Sequence, residues 1–407
     1  MREKKLDFGW MIVAYGVLCM LMVHYGTIGS QAIFLLPITQ DLGVSTTALT
    51  LASTYSTVIN FIMTPLAGTL MDKKSIRKLT FVGVLGVSLT MVAQSYITSV
   101  YAYYVIYMIR TVFSPFALMM PFATLAARWF PKEKRSYATS IIFVGISLGG
   151  VLLSNPLAML IEQIGWRLTY RYYGLAALLL LSPMALLCIR DYPADYKERI
   201  LKETPKGEDG TEEKADFLSL LKDKRFLLVC GGMACISYIG GSLYHISSYV
   251  QSLGYSAQFG ATIISIYNFV CIFSKMIMGK LFDKKGMKAG IWFGALGIIG
   301  SYFLMTISMW KSSTVLLLII AVFYGIGNTC QSITLSSMVS GIFGVKNYGS
   351  IYSKISTVTM VVGAVSTPLL SSMYEAAGNY LVAWISCTVL SIVSTICLLY
   401  AGKVGRK

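Results

Sequence analysis

Charge is the scarcest commodity in this 407-residue chain: 13% of residues are Asp, Glu, Lys or Arg, where a soluble globular protein carries about a quarter. Acids are scarcer still, 18 against 34 Lys and Arg, and there are two histidines. Eight cysteines form no CxxC pair and stand at no metal-ligand spacing with a histidine, so neither a zinc site nor a disulfide framework is expected. No nucleophile stands with a base, and no phosphate-cradling glycine loop or metal set is present. An enzyme, a metal centre and a bound cofactor are therefore not expected. No removable leader of 7 to 15 apolar residues with a small-residue cleavage site stands out.

What is abundant is apolar sequence. The chain is 56% hydrophobic, with a mean hydropathy of +0.67. A helix needs about 20 apolar residues to cross a hydrocarbon core of about 30 Å. Twelve such runs are legible: 10–35, 46–70, 79–98, 101–127, 137–161, 170–189, 225–251, 258–282, 289–309, 313–342, 348–373 and 380–401. The fold class expected is an all-α membrane protein with twelve spans.

A net charge of +16 in a soluble protein would suggest nucleic acid, but its placement excludes that partner. Alternate connections collect the cations: Arg2, Lys4 and Lys5; Lys73, Lys74, Arg77 and Lys78; Arg128, Lys132, Lys134 and Arg135; Lys280, Lys284, Lys285 and Lys288; Lys346; and Lys403, Arg406 and Lys407. The other side keeps Arg167, Arg171 and Lys311. By the positive-inside rule both termini are cytoplasmic, in a multi-pass protein of the cell membrane that is expected to be monomeric in the lipid bilayer.

The long hydrophilic stretch 190–224, with Pro193, Pro205, Gly207 and Gly210, divides the chain into a first six-span half, 1–189, and a second, 225–407. A loop is duplicated between them. Gly68, Asp72, Lys73, Arg77 and Lys78 follow span two; Gly279, Asp283, Lys284, Gly286 and Lys288 follow span eight. Halves repeated in this way are expected to rock about a site near the midplane. The loop resembles the major facilitator signature G-x-x-x-D-[RK]-x-G-x-[RK]-[RK], departing from it at Ser75, where the signature has its second glycine. The connectors around Arg128–Pro131 and Gly165–Arg167 are similar to those of the same superfamily. The resemblance implies two pseudo-symmetric six-helix bundles, alternating access, and a conformational latch made by Gly68, Asp72, Lys73, Arg77, Gly279, Asp283 and Lys284.

Every carboxylate falls in a loop or at a span end, whereas three cations fall inside spans: Arg110, Lys275 and Lys354. Each costs about 2.5 to 3.5 kcal/mol on insertion scales. A small organic anion is the cargo that would offset them. At 1.5 Å per residue, Lys275 lies about 12 Å from Asp283 and Lys354 about 12 Å from Lys346. The stretch Asn268–Gly279 resembles span eight of the monocarboxylate transporters, with Lys275 where that family binds carboxylate through arginine. Cys271 stands where its proton-coupled members have aspartate. The stretch Asn347–Lys354 is similar to span eleven of the oxalate/formate antiporters, which implies a substrate-binding role for Lys354.

Around these cations, Asn268, Cys271 and Lys275 share a helical face, as do Tyr324, Asn328 and Gln331. His24 and Gln31 lie seven apart, with Tyr25 adjacent, and His245 lies toward the outer end of span seven. Such faces line a cavity or glue helices together. The function expected is exchange of mono- or dicarboxylates. Proton-coupled monocarboxylate symport and drug/proton antiport are the alternatives, and a non-transporting anion receptor comes from another class.

Overall fold

The computed structural model describes residues 3–194, 196, 220, 222–345 and 347–404. Most of the linker, Lys346, Arg2, Arg406 and Lys407 lie outside the described residues. No strand occurs among those described. Among the described residues, ten helices are long and apolar enough to cross a membrane. Their outward faces carry residues such as Leu179, Leu296 and Phe303, exposed as lipid-facing side chains must be.

In chain order the elements are α1 (Glu3–Cys19), a π-helical segment (Met20–Gly29), α2 (Gln31–Leu42), α3 (Thr46–Lys73), α4 (Ile76–Gln94), α5 (Val100–Ala117), α6 (Met119–Trp129) and α7 (Lys132–Cys188). Then follow α8 (Lys224–Gly240), a 3-10 turn (Gly241–His245), α9 (Ile246–Ser252), α10 (Ala257–Lys284), α11 (Met287–Ser308), α12 (Thr314–Ile342), α13 (Tyr348–Ala377) and α14 (Leu381–Val404).

The expected spans five and six are the two arms of α7. A straight helix of 57 residues would measure about 85 Å. Yet Trp129, just before α7, donates its indole N–H to the Arg190 carbonyl, just after it, at 2.8 Å. The chain therefore folds back, and it does so at Gly165, whose φ of 79° lies where a side chain is disfavoured. With α7 counted as two arms and α3 added as a helix of 28 residues, twelve passes result among the described residues.

Three of the spans are broken or change their winding. Span one changes winding at Met20–Gly29, where the Thr27 and Ser30 hydroxyls bond the Val23 and Gly26 carbonyls. This satisfies backbone groups that a regular ladder would have paired. Span four breaks at Leu118, between Pro115 and Pro121, because proline removes a helical N–H and crowds the preceding turn. Span seven tightens at Gly241–His245.

The chain divides into two compact units: Met1–Pro131 with Ile141–Gly207 and Val345–Ser353, and Lys132–Ser140 with Glu208–Gly344 and Lys354–Lys407. The unit boundary thus differs from a simple cut at the linker, since each unit takes in one short helix start from the other half of the sequence. Within the first unit α5 packs on α3 and α4, and the second arm of α7 folds against α1 through Tyr15 Oη–H donating to the Leu181 carbonyl at 2.9 Å. Gly145 and Gly149 let the first arm of α7 close on the Val17 and Leu21 carbonyls, where added methyls would collide. In the second unit α12 packs against α10 and α11, and α8 and α11 against α14. There Gly297 and Gly327 face each other so closely that neither admits a Cβ.

Candidate functional site

The two copies of the duplicated loop hold their aspartates in the same way. In the first unit Asp72, at the end of α3, accepts the backbone N–H groups of Gly349 at 3.0 Å and Ser350 at 2.7 Å, in the first turn of α13. Those N–H groups have no partner inside their own helix, and the helix dipole favours a carboxylate there. Arg128 stands 3.8 Å from Asp72 and donates to the Met71 carbonyl at 2.8 Å. In the second unit Asp283, at the end of α10, accepts from Ser136 N–H at 2.9 Å and Tyr137 N–H at 2.7 Å, near the start of α7. Gly68 and Gly279 permit both approaches. A Cβ on Gly68 would strike the Gly349 carbonyl and Ser353; one on Gly279 would strike Ser140 and the Ser136 carbonyl. Lys73, Arg77 and Lys284 are exposed, and Arg77 enters only through its backbone N–H, which donates to Asp191 at 2.9 Å.

The departure at Ser75 has a structural reason. Ser75 is extended, with φ −64°, and its hydroxyl caps α4 by accepting the Lys78 N–H at 3.4 Å. Its counterpart Gly286 precedes α11 at φ 80°, which a side chain rarely tolerates.

Inside the first unit, Arg110 is 3% exposed. Its guanidinium donates to Gln94 Oε1 at 2.8 Å, lies 4.3 Å over the Tyr107 ring and faces Tyr103 and Tyr170. The Gln31 amide joins the cluster by donating to Tyr107 Oη. The i, i+7 spacing that placed His24 beside Gln31 presumes regular α-helix, and the wider π winding between them removes that relation. Tyr25 instead meets Ser154 at 2.6 Å, and His24 is half-buried.

Inside the second unit, Lys275 is 4% exposed and Cys271 1% exposed, one turn apart on α10. Asn268 is half-buried and turns its amide onto the Ile264 carbonyl at 2.9 Å. Lys354, on α13, is half-buried. The polar face of α12 does converge. Tyr324, Asn328 and Gln331 line one pocket with Ser301 and Tyr302. Asn328 donates to Tyr267 Oη at 3.3 Å, while Ser242 links the Tyr302 and Tyr324 hydroxyls at 2.5 and 3.1 Å. His245 joins a different group: its Nε2 is 3.3 Å from the Thr367 carbonyl and its ring meets Tyr380 edge-on at 5.9 Å.

Sequence reasoning missed Gln94, Tyr103, Tyr107 and Tyr170 around Arg110, and Ser242 and Tyr302 beside Tyr324. Gln94, Tyr170, Ser242 and Tyr302 come from other elements than the residue they serve, and no spacing along the chain carries that information; Tyr103 and Tyr107 lie seven and three residues before Arg110 on α5, a helical spacing that could have found them. Among the described residues no cluster of His, Cys, Asp or Glu could hold a metal.

Twelve apolar passes, a loop repeated in both units and polar clusters buried within the spans describe a membrane transporter. The profile of the Major Facilitator Superfamily matches residues 17–367, and the chain belongs to that superfamily. It is 25% identical over 285 residues to the MFS-type transporter pytF of Aspergillus terreus, covering 68% of this chain and 90% of that one. With human monocarboxylate transporter 2 it is 22% identical over 362 residues, 84% of this chain and 75% of the relative. Matches to MFS-type transporters of Aspergillus fumigatus and Aspergillus niger span 64% and 61% of those proteins' lengths. Among solved structures, the proton:xylose symporter XylE aligns over 98% of this chain and 96% of its own, with a TM-score of 0.78 at 14% identity.

Proposed function

We propose that this protein is a secondary transporter of small organic anions, mono- or dicarboxylates, working by exchange through alternating access. One observation carries the proposal. Arg110, Lys275 and Lys354 sit within long apolar helices, whereas the carboxylates of the described residues sit at helix ends, at the Gly165 bend or in connections. A positive interior is costly in a bilayer, and an anion on the transport path offsets it. Likeness to a monocarboxylate transporter over 84% of the chain supports the same class of cargo.

In this reading Lys275 and Lys354 contact the substrate carboxylate as compact, strongly hydrated point charges. Asn268, Tyr324 and Asn328 supply neutral hydrogen bonds. The halves 1–189 and 225–407 are the moving bundles, both termini face the cytoplasm of the cell that houses the protein, and the protein acts as a monomer. The Asp72 and Asp283 contacts are latches, each made in one state and released in the other. Cys271 in place of an acid removes the group that proton symport would use, which favours exchange.

The test is uptake of labelled carboxylate into proteoliposomes. Internal anion should accelerate it strongly. Equal uptake with and without internal anion refutes exchange, and no uptake of any carboxylate refutes the anion reading.

A further inference from the structure

We propose that the second unit carries a binding surface for an anionic phospholipid on the outward side of α10 and α11, with the head group at the lysines of their connection and the acyl chains along the apolar stripes that lead away from it. The surface lies on the far side of α10 from Lys275 and is independent of the anion-carrier reading.

α10 ends at Lys284 and α11 begins at Met287, so the two helices run back to back from a connection of two residues, Lys285 and Gly286, and they pack side by side. On α10 the residues Phe269, Phe273, Ile277, Lys280 and Lys284 recur at steps of three or four and share one face, and all five are exposed. The buried Cys271 and Lys275 lie on the opposite face. On α11 Lys288, Trp292 and Leu296 recur at steps of four and are exposed as well. Each helix thus turns outward an apolar stripe that ends in lysine at the shared connection.

From Lys280 to Phe269 the stripe runs about 16 Å at 1.5 Å per residue, about the hydrocarbon thickness of one leaflet. An acyl chain laid along it meets Ile277 and then the Phe273 and Phe269 rings, which stand edge to face with centroids 5.2 Å apart. Trp292 stands one turn from Lys288, and an indole is favoured at head-group level. Charge selects the lipid. Lys280, Lys284, Lys285 and Lys288 are exposed, and a cluster of this kind attracts anionic head groups. Asp283, the acid of this stretch, is already bonded to the Ser136 and Tyr137 N–H groups. The Lys280 Nζ lies 4.9 Å from the Tyr137 ring, a contact that steadies the ammonium and leaves its charge in place. The other copy of the loop is weaker in both respects. Thr69 stands where Lys280 does and turns its hydroxyl onto the Pro65 carbonyl at 3.0 Å, and Asp191 brings a carboxylate among the cations, 2.9 Å from the Arg77 backbone nitrogen.

Native mass spectrometry of the purified full chain, titrated in detergent with phosphatidylglycerol or with phosphatidylcholine of the same acyl chains, tests the surface. Phosphatidylglycerol should bind at least about tenfold tighter. Lys280→Gln combined with Lys288→Gln should weaken it by about 30-fold, the scale of two lysines at an anionic surface, and leave phosphatidylcholine unchanged. Lys284→Gln combined with Lys285→Gln should act in the same direction and serves if the first pair does not fold. The matched pair in the first unit, Lys74→Gln with Lys78→Gln, should weaken phosphatidylglycerol by less than about threefold. Trp292→Ala should weaken both lipids by about fivefold. Glycerol phosphate, which has the charge and no acyl chain, should not displace the lipid. Equal binding of the two lipids, equal losses from the lysine pairs of the two units, or displacement by glycerol phosphate overturns the surface. None of these outcomes alters the anion-carrier reading, which the uptake assay decides.

Discussion

The two units answer one problem, a positive charge inside a bilayer, with different hardware. In the first, a guanidinium is held by a ring face, an amide carbonyl and hydroxyls from three helices. In the second, the cations are lysines on long flexible stems, and the convergent polar pocket around Tyr324 carries no charge. Planar, forked arginine suits a rigid cradle, and lysine suits a contact that is made and broken. The duplicated loop teaches the converse lesson. There the two copies keep the same bond from aspartate to a helix start, while the backbone beside it diverges, with Ser75 capping a helix where Gly286 adopts a positive φ.

The largest expected effect separates the two kinds of cation. Lys275→Ala should cut initial uptake about 100-fold, the scale of losing a charge-assisted bond, and Lys275→Arg should recover part of it. Equal loss in both variants would mean that side-chain shape, and not charge, governs this position. Next come the latches. Asp72→Asn and Asp283→Asn should each slow transport by about tenfold, more for Asp72, which also faces Arg128 at 3.8 Å. Equal rates for wild type and both variants would show the bonds to be incidental.

Smaller effects probe the divergence of the loop. Gly286→Ser should lower stability by about 1 to 2 kcal/mol, the cost of a side chain at positive φ, read as a depressed Tm in detergent. Ser75→Gly should cost only a few tenths of a kcal/mol, since glycine is a tolerable N-cap. A symmetric response to these exchanges would erase the distinction between the two copies. Tyr324→Phe, which removes the hydroxyl that meets Ser242 and, in the proposed site, the substrate, should slow uptake by about fivefold, the scale of one neutral hydrogen bond.

Much of the architecture was legible before any coordinates. Apolar runs of membrane-spanning length have few alternatives in water, and the recurrence of Gly68–Lys78 at Gly279–Lys288 showed the duplication. The bend at Gly165 was visible as the connector between spans five and six, because glycine beside Trp166 and Arg167 interrupts the apolar run. The windings at Met20–Gly29 and Gly241–His245 were invisible, and with them went the expected pairing of His24 and Gln31. The stripe Tyr324, Asn328 and Gln331 survived, because α12 is regular and helical spacing therefore predicts a face.

The chain alone determined that it lives in a membrane, that it is doubled, and that positive charge outweighs negative within its spans, since these follow from the order and kind of side chains. Only the tertiary structure decided what surrounds each charge. Gln94 and Tyr170 reach Arg110 from other helices, and helix packing, unlike helix period, is not written in the spacing of residues along one strand of sequence.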